Sequence, residues 1–249
     1  MRVQGPSSGT GQEPSTCVVW WASTSDAVGL DLSLFGEDER ARVSRLRFED
    51  DRRRFLVGAA LVRILMGVGL GCHPRHVRVR RDCRQCGGYH GPVTVEGADV
   101  VSLSVSHASS HVAVAISESG VVGIDIEDGR RPLSERVARS FLHPDERKST
   151  VQEGDLLRVW TRKEAVLKAA GVGLSVTPAE VVVGPGAPAS VTRLPPSVCL
   201  PQPLNLFDFD LEGAVGALAF AGGPVHVAYE RATDLLGRWR VDPRPRSHG

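Results

Sequence analysis

The order of hydrophobic and polar positions divides the chain into strands and helices before any single residue is weighed. Cys17 to Ala22 is a short apolar run of strand type. Glu37 to Phe48 mixes charge with Leu and Val at helical spacing. Asp50 to Met66 sets Phe55, Leu56, Ala59, Leu61, Val62 and Leu65 on one face, which predicts a long amphipathic helix. His76 to Arg81 alternates Val and Arg like an edge strand. Val100–Ser106 and His111–Ser117 alternate strictly around a short turn, which predicts a hairpin. Val121 to Glu127 is another run of strand length. Leu133–Leu142 and Pro144–Thr150 read as short helices, the second with Asp145 and Glu146 in its first turn. Asp155–Ala170 reads as a long helix that Gly171 ends. Ala179–Val183 predicts a strand, Leu204–Leu211 with Val215–Ala221 a hairpin, and Pro224–Tyr229 one more strand. Gly184 to Pro203, rich in Pro and Gly, predicts a surface loop.

These elements repeat. Helix, strand and hairpin beginning near about 50, 77 and 100 recur near about 155, 180 and 204, although the residues themselves do not match. The pattern predicts an α+β fold made of two similar halves, residues 16–119 and 120–235. The Gly-, Ser- and Pro-rich lead 1–15 and the Pro- and Arg-rich end of 236–249 are expected to be disordered.

Composition narrows the function classes. The chain has 249 residues, 41% hydrophobic and 24% charged, enough for one substantial core or two small ones. A net charge of +1 speaks against a dedicated nucleic-acid binder. No run is apolar enough to span a membrane, and the first twenty residues lack a signal-peptide pattern, so the expected location is the cytoplasm. Five cysteines, an odd number, do not suggest a disulfide framework.

The candidate chemistry lies in two stretches. VVGIDIE ends in Asp125 and Glu127, which a strand points to the same side. Two close carboxylates repel unless a cation sits between them, and a hard cation with oxygen ligands, Mg²⁺ or Mn²⁺, is the natural one. WTRKEAVLK places Trp160, Glu164 and Lys168 at i, i+4 and i+8, on one helix face. Lysine occurs at only one other place, Lys148, beyond Lys163 and Lys168 here, so two of them beside a glutamate suggest a site.

Taken together, VGIDIE and WTRKEAVLKAAGVGLS resemble the paired signatures of the 4′-phosphopantetheinyl transferases, of the type that activates surfactin synthetase and other modular synthetases. Every fixed position of those signatures is present: Gly123, Asp125, Glu127, Trp160, Lys163, Glu164, Lys168, Gly171, Gly173 and Leu174. The resemblance implies a pseudo-twofold duplicate with the active site in the cleft between the halves, each a small, mainly antiparallel sheet with a long helix. It implies transfer of phosphopantetheine from coenzyme A to a serine of an apo acyl or peptidyl carrier protein, with release of adenosine 3′,5′-bisphosphate, by a monomer that needs no membrane or nucleic acid. Asp125, Glu127 and Glu164 would hold Mg²⁺, with Mn²⁺ as a substitute. Glu164 would serve as base for the serine, Lys168 would meet the pyrophosphate, and Lys163 would do the same or pair structurally. Trp160 would pack.

The resemblance also implies coenzyme contacts. Arg54, by its offset from Gly58, matches a residue for the 3′-phosphate end of the coenzyme, and Arg42 matches a second basic position. Gly91–Pro92 matches a turn under the adenine, but without the basic residue the family often carries between Gly and Pro. Ser106–His107 matches a Ser-His-Ser segment whose His meets a phosphate, with Ala108 in place of the third residue. Other readings remain open. Cys83-x-x-Cys86, with His90 near it and Cys72, His73 and His76 before it, could be part of a zinc knuckle of an RNA-binding protein, although no second pair completes it. A different Mg²⁺-dependent phosphotransferase or hydrolase, or a non-catalytic coenzyme A-binding protein, would use many of the same residues.

Overall fold

The computed structural model describes residues 15–83, 86–148, 153–184 and 186–241. In the first part of the chain, β1 (Ser15–Ser23) is followed by α1 (Glu37–Arg45), the long α2 (Glu49–Gly69), a two-stranded ribbon β2–β3 (Val79–Asp82, Tyr89–Val95) and the hairpin β4–β5 (Ser102–Ala108, His111–Ser117). The second part runs β6 (Val121–Asp128), α3 (Glu135–Phe141), α4 (Pro144–Lys148), the long α5 (Glu153–Ala170), a second ribbon β7–β8 (Val182–Val183, Val191–Arg193) and the hairpin β9–β10 (Leu204–Leu211, Ala214–Ala221). It ends with β11 (Val225–Arg231) and the short α6 (Thr233–Gly237). The sheet orders are β11-β1-β5-β4 and β6-β10-β9. In each, the first strand of its half pairs with the last strand of the hairpin that follows.

Alternation within the strands builds three cores. In β5, Val112 and Val114 face α2, while Ala113 and Ala115 face the other sheet. In β10, Ala217 and Ala219 face α5, and Leu218 and Phe220 face the first sheet. Both sheets are thus buried on two faces, which accounts for their nearly continuous apolar runs. The strand β6 divides likewise: Val122, Ile124 and Ile126 enter the core between the sheets, which leaves Gly123, Asp125 and Glu127 on the side of α5.

Gly123 sets the distance between β6 and α5. A Cβ there would stand 2.0 Å from the Ala165 carbonyl oxygen and 2.3 Å from the Ala169 amide nitrogen. Backbone can yield less than a side chain, so Gly123→Ala is expected to cost about 1–3 kcal/mol or more. Urea unfolding followed by circular dichroism checks it, and wild-type stability in the variant would refute the close approach.

Several segments differ from the sequence reading. The strand expected at His76–Arg81 begins at Val79, because Pro74–His76 forms a 3-10 turn. Likewise Pro178–Glu180 is a 3-10 turn and only Val182–Val183 remains extended. The 184–203 segment is more than a surface loop: Val191–Arg193 pairs with β7, and Val198 is buried against the α5 core. The tail is ordered through residue 241. Leu236 is fully buried in the α2 core, Trp239 packs there, and the Val241 amide donates to the Gly29 carbonyl at 2.8 Å. Pro and Arg content conceals the apolar anchors Leu235, Leu236 and Trp239. The remainder of the lead and the tail lies outside the described residues. Among the described residues no helix is long and apolar enough to cross a membrane.

Candidate active site

The strand β4 lies beside β6 with no main-chain pairing between them. The amides of β6 donate instead to serine hydroxyls of β4: Val122 to Ser102 at 3.0 Å, Ile124 to Ser104 at 3.1 Å and Ile126 to Ser106 at 3.2 Å. A cleft of about 630 Å³ opens at this seam, walled by α2, the β2–β3 ribbon, β4 and the C-terminal end of α5. It collects Arg42, Arg54, Gly91, Pro92, His107 and Lys168 among the residues expected from sequence.

Lys168 leads from the cleft to the acids. Its Nζ donates to Asp125 Oδ1 at 2.7 Å and to Ser106 Oγ at 3.0 Å, and the Ser106 hydroxyl donates to the same Oδ1 at 2.9 Å. Asp125 is 5% exposed, and its other oxygen, Oδ2, is buried without a hydrogen-bond partner. An unpaired buried carboxylate oxygen is costly, so its presence marks a place for a ligand. Glu127 points to the same side, and its Oε1 accepts the Trp160 indole N–H at 2.9 Å. Trp160 therefore does more than pack. Its ring stands edge-on to Phe141 at 5.1 Å, and its nitrogen fixes one carboxylate oxygen.

The two glutamates share an electrostatic burden. Burial pushes the Glu164 carboxyl above the ordinary range, Asp125 and Glu127 add to the rise, and Lys168 opposes it. Glu127 is raised first by burial and further by Asp125, against the Trp160 bond and Lys168. Asp125, Glu127 and Glu164 thus feel one another. As they stand, however, no three His, Cys, Asp or Glu side chains among the described residues are gathered closely enough to enclose a metal ion. Trp160 engages one oxygen of Glu127, and Lys168 engages one oxygen of Asp125.

His107 stands open to the cleft while protein surrounds its other sides. That burial lowers the imidazole pKa, and the charges of Lys168, Arg54 and Arg81 lower it further, with a backbone hydrogen bond opposing. Arg54 is held by the Ser109 carbonyl, to which its Nη1 donates at 2.8 Å, and by Asp51. Arg42 lies over the Phe55 ring at 5.3 Å. Five cationic or cation-forming side chains around one cleft make an anion site.

Lys163 takes the structural one of its two expected roles and does not face the cleft. It is fully buried, and its Nζ donates to Glu146 Oε2 at 2.6 Å, the Phe141 carbonyl at 2.8 Å and the Pro178 carbonyl at 3.1 Å. Ser106 is also buried, its oxygen engaged by neighbours rather than by the cleft. Gly91 lines the cleft, but its lack of a side chain serves the ribbon first, since a Cβ would stand 2.3 Å from the Asp82 carbonyl oxygen. Arg81 is a cleft residue that the sequence reading missed. A signal existed: Val77 and Val79 alternate inward on this segment, and Arg81 continues their face. Cys83 lines the cleft and Cys86 is exposed. His73 instead caps a turn by accepting the Arg75 amide at 3.2 Å, so the described residues assemble no zinc set.

With this geometry in place, comparison with known proteins gives the class. Residues 121–199 match the family described as the 4′-phosphopantetheinyl transferase superfamily, and residues 19–119 match the one described as 4′-phosphopantetheinyl transferase, N-terminal. The chain belongs to the 4′-phosphopantetheinyl transferase family and is a transferase. Among its relatives is the 4′-phosphopantetheinyl transferase HetI of Nostoc sp., 30% identical over 171 residues, which are 64% of this chain and 69% of that protein. The L-aminoadipate-semialdehyde dehydrogenase-phosphopantetheinyl transferase of Schizosaccharomyces pombe is 29% identical over 59% of this chain and 63% of its own length. The 4′-phosphopantetheinyl transferase psf-1 of Bacillus pumilus is 28% identical over 55% of this chain and 58% of its own. The match thus spans less than two thirds of the latter two proteins.

Proposed function

We infer that this transferase moves the phosphopantetheine arm of coenzyme A onto a serine of an apo acyl or peptidyl carrier protein, as the surfactin-synthetase-activating type does. The observation that carries the reading is Asp125: one oxygen held by Lys168 at the edge of a cationic cleft, the other buried with nothing to bond. The similar order of elements in the two sheets supports a duplicated unit, with the site on the seam between copies. Mg²⁺ fits the donors, all oxygens and all anionic, and would be held by Asp125 Oδ2, Glu127 and Glu164. When bound it neutralises charge on the pyrophosphate.

The protein's own groups do the rest. Arg42, Arg54, Arg81 and His107 hold the phosphates of the coenzyme, and Lys168 donates to the bridging pyrophosphate. Glu164 accepts the proton of the carrier serine, directly or through one water. The serine oxygen bonds to the phosphorus of the phosphopantetheine, and the bond to adenosine 3′,5′-bisphosphate breaks. Such transfer depends mostly on position and charge. Intact-mass spectrometry of an apo carrier incubated with the protein, coenzyme A and Mg²⁺ tests the reading. A gain of one phosphopantetheine, abolished by EDTA, is expected. No gain with acyl, polyketide or peptidyl carriers, while coenzyme A binds, would favour a non-catalytic coenzyme-binding protein instead.

The raised glutamates predict a pH-dependent response to the cation. A carboxyl whose folded pKa lies above its unfolded value favours folding below the unfolded pKa, and that contribution is lost as pH rises through the folded pKa. Each of the two carboxyls thus carries its negative charge at a cost, which Mg²⁺ would offset. Thermal unfolding should show Mg²⁺ raising Tm at about pH 7.5 and leaving it unchanged at about pH 4, where protonated carboxyls bind no cation. Equal gains at both values would separate the cation from these acids.

A further inference from the structure

We propose that Ser106 is the positioning residue that decides which oxygen of Asp125 is presented to the divalent cation. The proposal rests on the functional reading above for the cation and on the seam for its geometry. A serine hydroxyl has one proton to give and two lone pairs to receive. At Ser106 all three are committed. The Ile126 amide donates to the oxygen at 3.2 Å, the Lys168 ammonium donates to it at 3.0 Å, and the hydroxyl proton goes to Asp125 Oδ1 at 2.9 Å. With both lone pairs taken by groups that can only donate, the hydroxyl has one direction left, toward the carboxylate.

Asp125 Oδ1 thereby receives two donors, Ser106 and Lys168, the second at 2.7 Å. Oδ2 receives none. The two oxygens of one carboxylate, equivalent in water, are made different here: one neutralised, the other buried and bare. Without the Ser106 hydroxyl, Lys168 loses one of its two anchors and Asp125 loses one of the two donors that fix its rotation. The carboxylate can then turn and the ammonium can reach either oxygen, which places a positive charge where the cation belongs.

The seam supplies an internal control. Ser102 makes the same kind of bond, accepting the Val122 amide at 3.0 Å, and it bonds neither Asp125 nor Lys168. Loss of a seam bond alone is therefore matched by Ser102→Ala, and loss of the positioning hydroxyl by Ser106→Ala.

The experiment is a titration of the full chain with Mn²⁺ in the presence of coenzyme A, free Mn²⁺ being read by electron paramagnetic resonance. Ser106→Ala is expected to weaken Mn²⁺ binding by about 10–100-fold, the range for groups that orient a ligand rather than ligate. Ser102→Ala should bind as the wild type does, and Ser106→Thr, which keeps the hydroxyl, should bind close to it. In turnover, Ser106→Ala should raise the Mg²⁺ concentration needed for half-maximal rate and recover most of kcat at saturating Mg²⁺, with KM for coenzyme A little changed. A merely structural serine would lower Tm and shift none of these. Wild-type Mn²⁺ affinity in Ser106→Ala overturns the proposal, as does an equal loss in Ser102→Ala. Absence of Mn²⁺ binding by the wild-type protein would overturn the cation assignment together with it, and carrier modification by the wild type reports separately on the transferase reading.

Discussion

Asp125→Asn is expected to abolish carrier modification while leaving the protein at least as stable as before. The substitution keeps the shape of the side chain. It also keeps an oxygen that Ser106 and Lys168 can bond, so the seam between β4 and β6 stays closed. It removes the negative charge and replaces one carboxylate oxygen with an amide nitrogen, which has no lone pair to give a cation. Cation neutralisation of a pyrophosphate supplies several kcal/mol in the transition state, and each 1.4 kcal/mol is a factor of ten, so the rate should fall by about two orders of magnitude or more. The stability expectation has the opposite sign. Oδ2 is buried without a partner, and Asp125 raises the pKa of both Glu127 and Glu164. Removing that charge relieves the repulsion on both glutamates, as expected where a site is kept strained for activity, and this offsets the loss of the ion pair with Lys168. Timed mass spectrometry and a thermal melt on the same preparation check the pair of outcomes. Substantial activity in the variant would dismiss Asp125 from the chemistry, and a large fall in Tm would make its role structural.

The opposite profile is expected at Lys163. Its ammonium has three protons and three acceptors, all protein groups. Glu146 Oε2 also accepts the His143 amide at 2.7 Å, and Oε1 the Val183 amide at 2.9 Å. The pair thus ties α5 to the end of α3, to α4 and to β7. Lys163→Ala leaves a buried carboxylate without its counter-charge, which typically costs about 3–5 kcal/mol. At this chain length that corresponds to a fall in Tm of about 6–20 °C. Coenzyme A affinity of the folded fraction should remain at the wild-type value. The double variant Lys163→Met with Glu146→Leu should recover much of the loss, because no unpaired charge remains. A variant that melts normally but binds coenzyme A poorly would return Lys163 to the cleft.

These two residues mark what sequence could tell. The helix face of Trp160, Glu164 and Lys168 was legible because helical spacing is a local property, and so was the shared side of Asp125 and Glu127 on a strand. The separation of Lys163 from that face was legible as well, since Val159, Lys163 and Leu167 follow one another on the buried face. The resemblance to a family signature left a site role and structural pairing both open for this lysine, and the spacing favours the second. The bonding role of Ser106, unlike its presence near the site, was beyond reach for another reason. Its bonds run to Asp125, Ile126 and Lys168, on two other elements, and no local pattern reports which strands of separate sheets come to lie side by side. The order of the tail was hidden because the pairing of β1 with β11 joins the two ends of the described chain.

That parallel pairing sets an order of assembly. Ser15 lies opposite Val225 and Trp21 opposite Arg231, so β1, made before every other described strand, has one edge that β11 fills only after all of them are made. Until then β1 can pair with β5 on its other side alone, and a bare edge is where chains stick to one another. The sheet beside the cleft arginines Arg42, Arg54 and Arg81 is thus completed last among the described strands, although β1 is made first. Truncation before β11, far in sequence from Asp125, Glu127 and Glu164, is therefore expected to leave this sheet edge open.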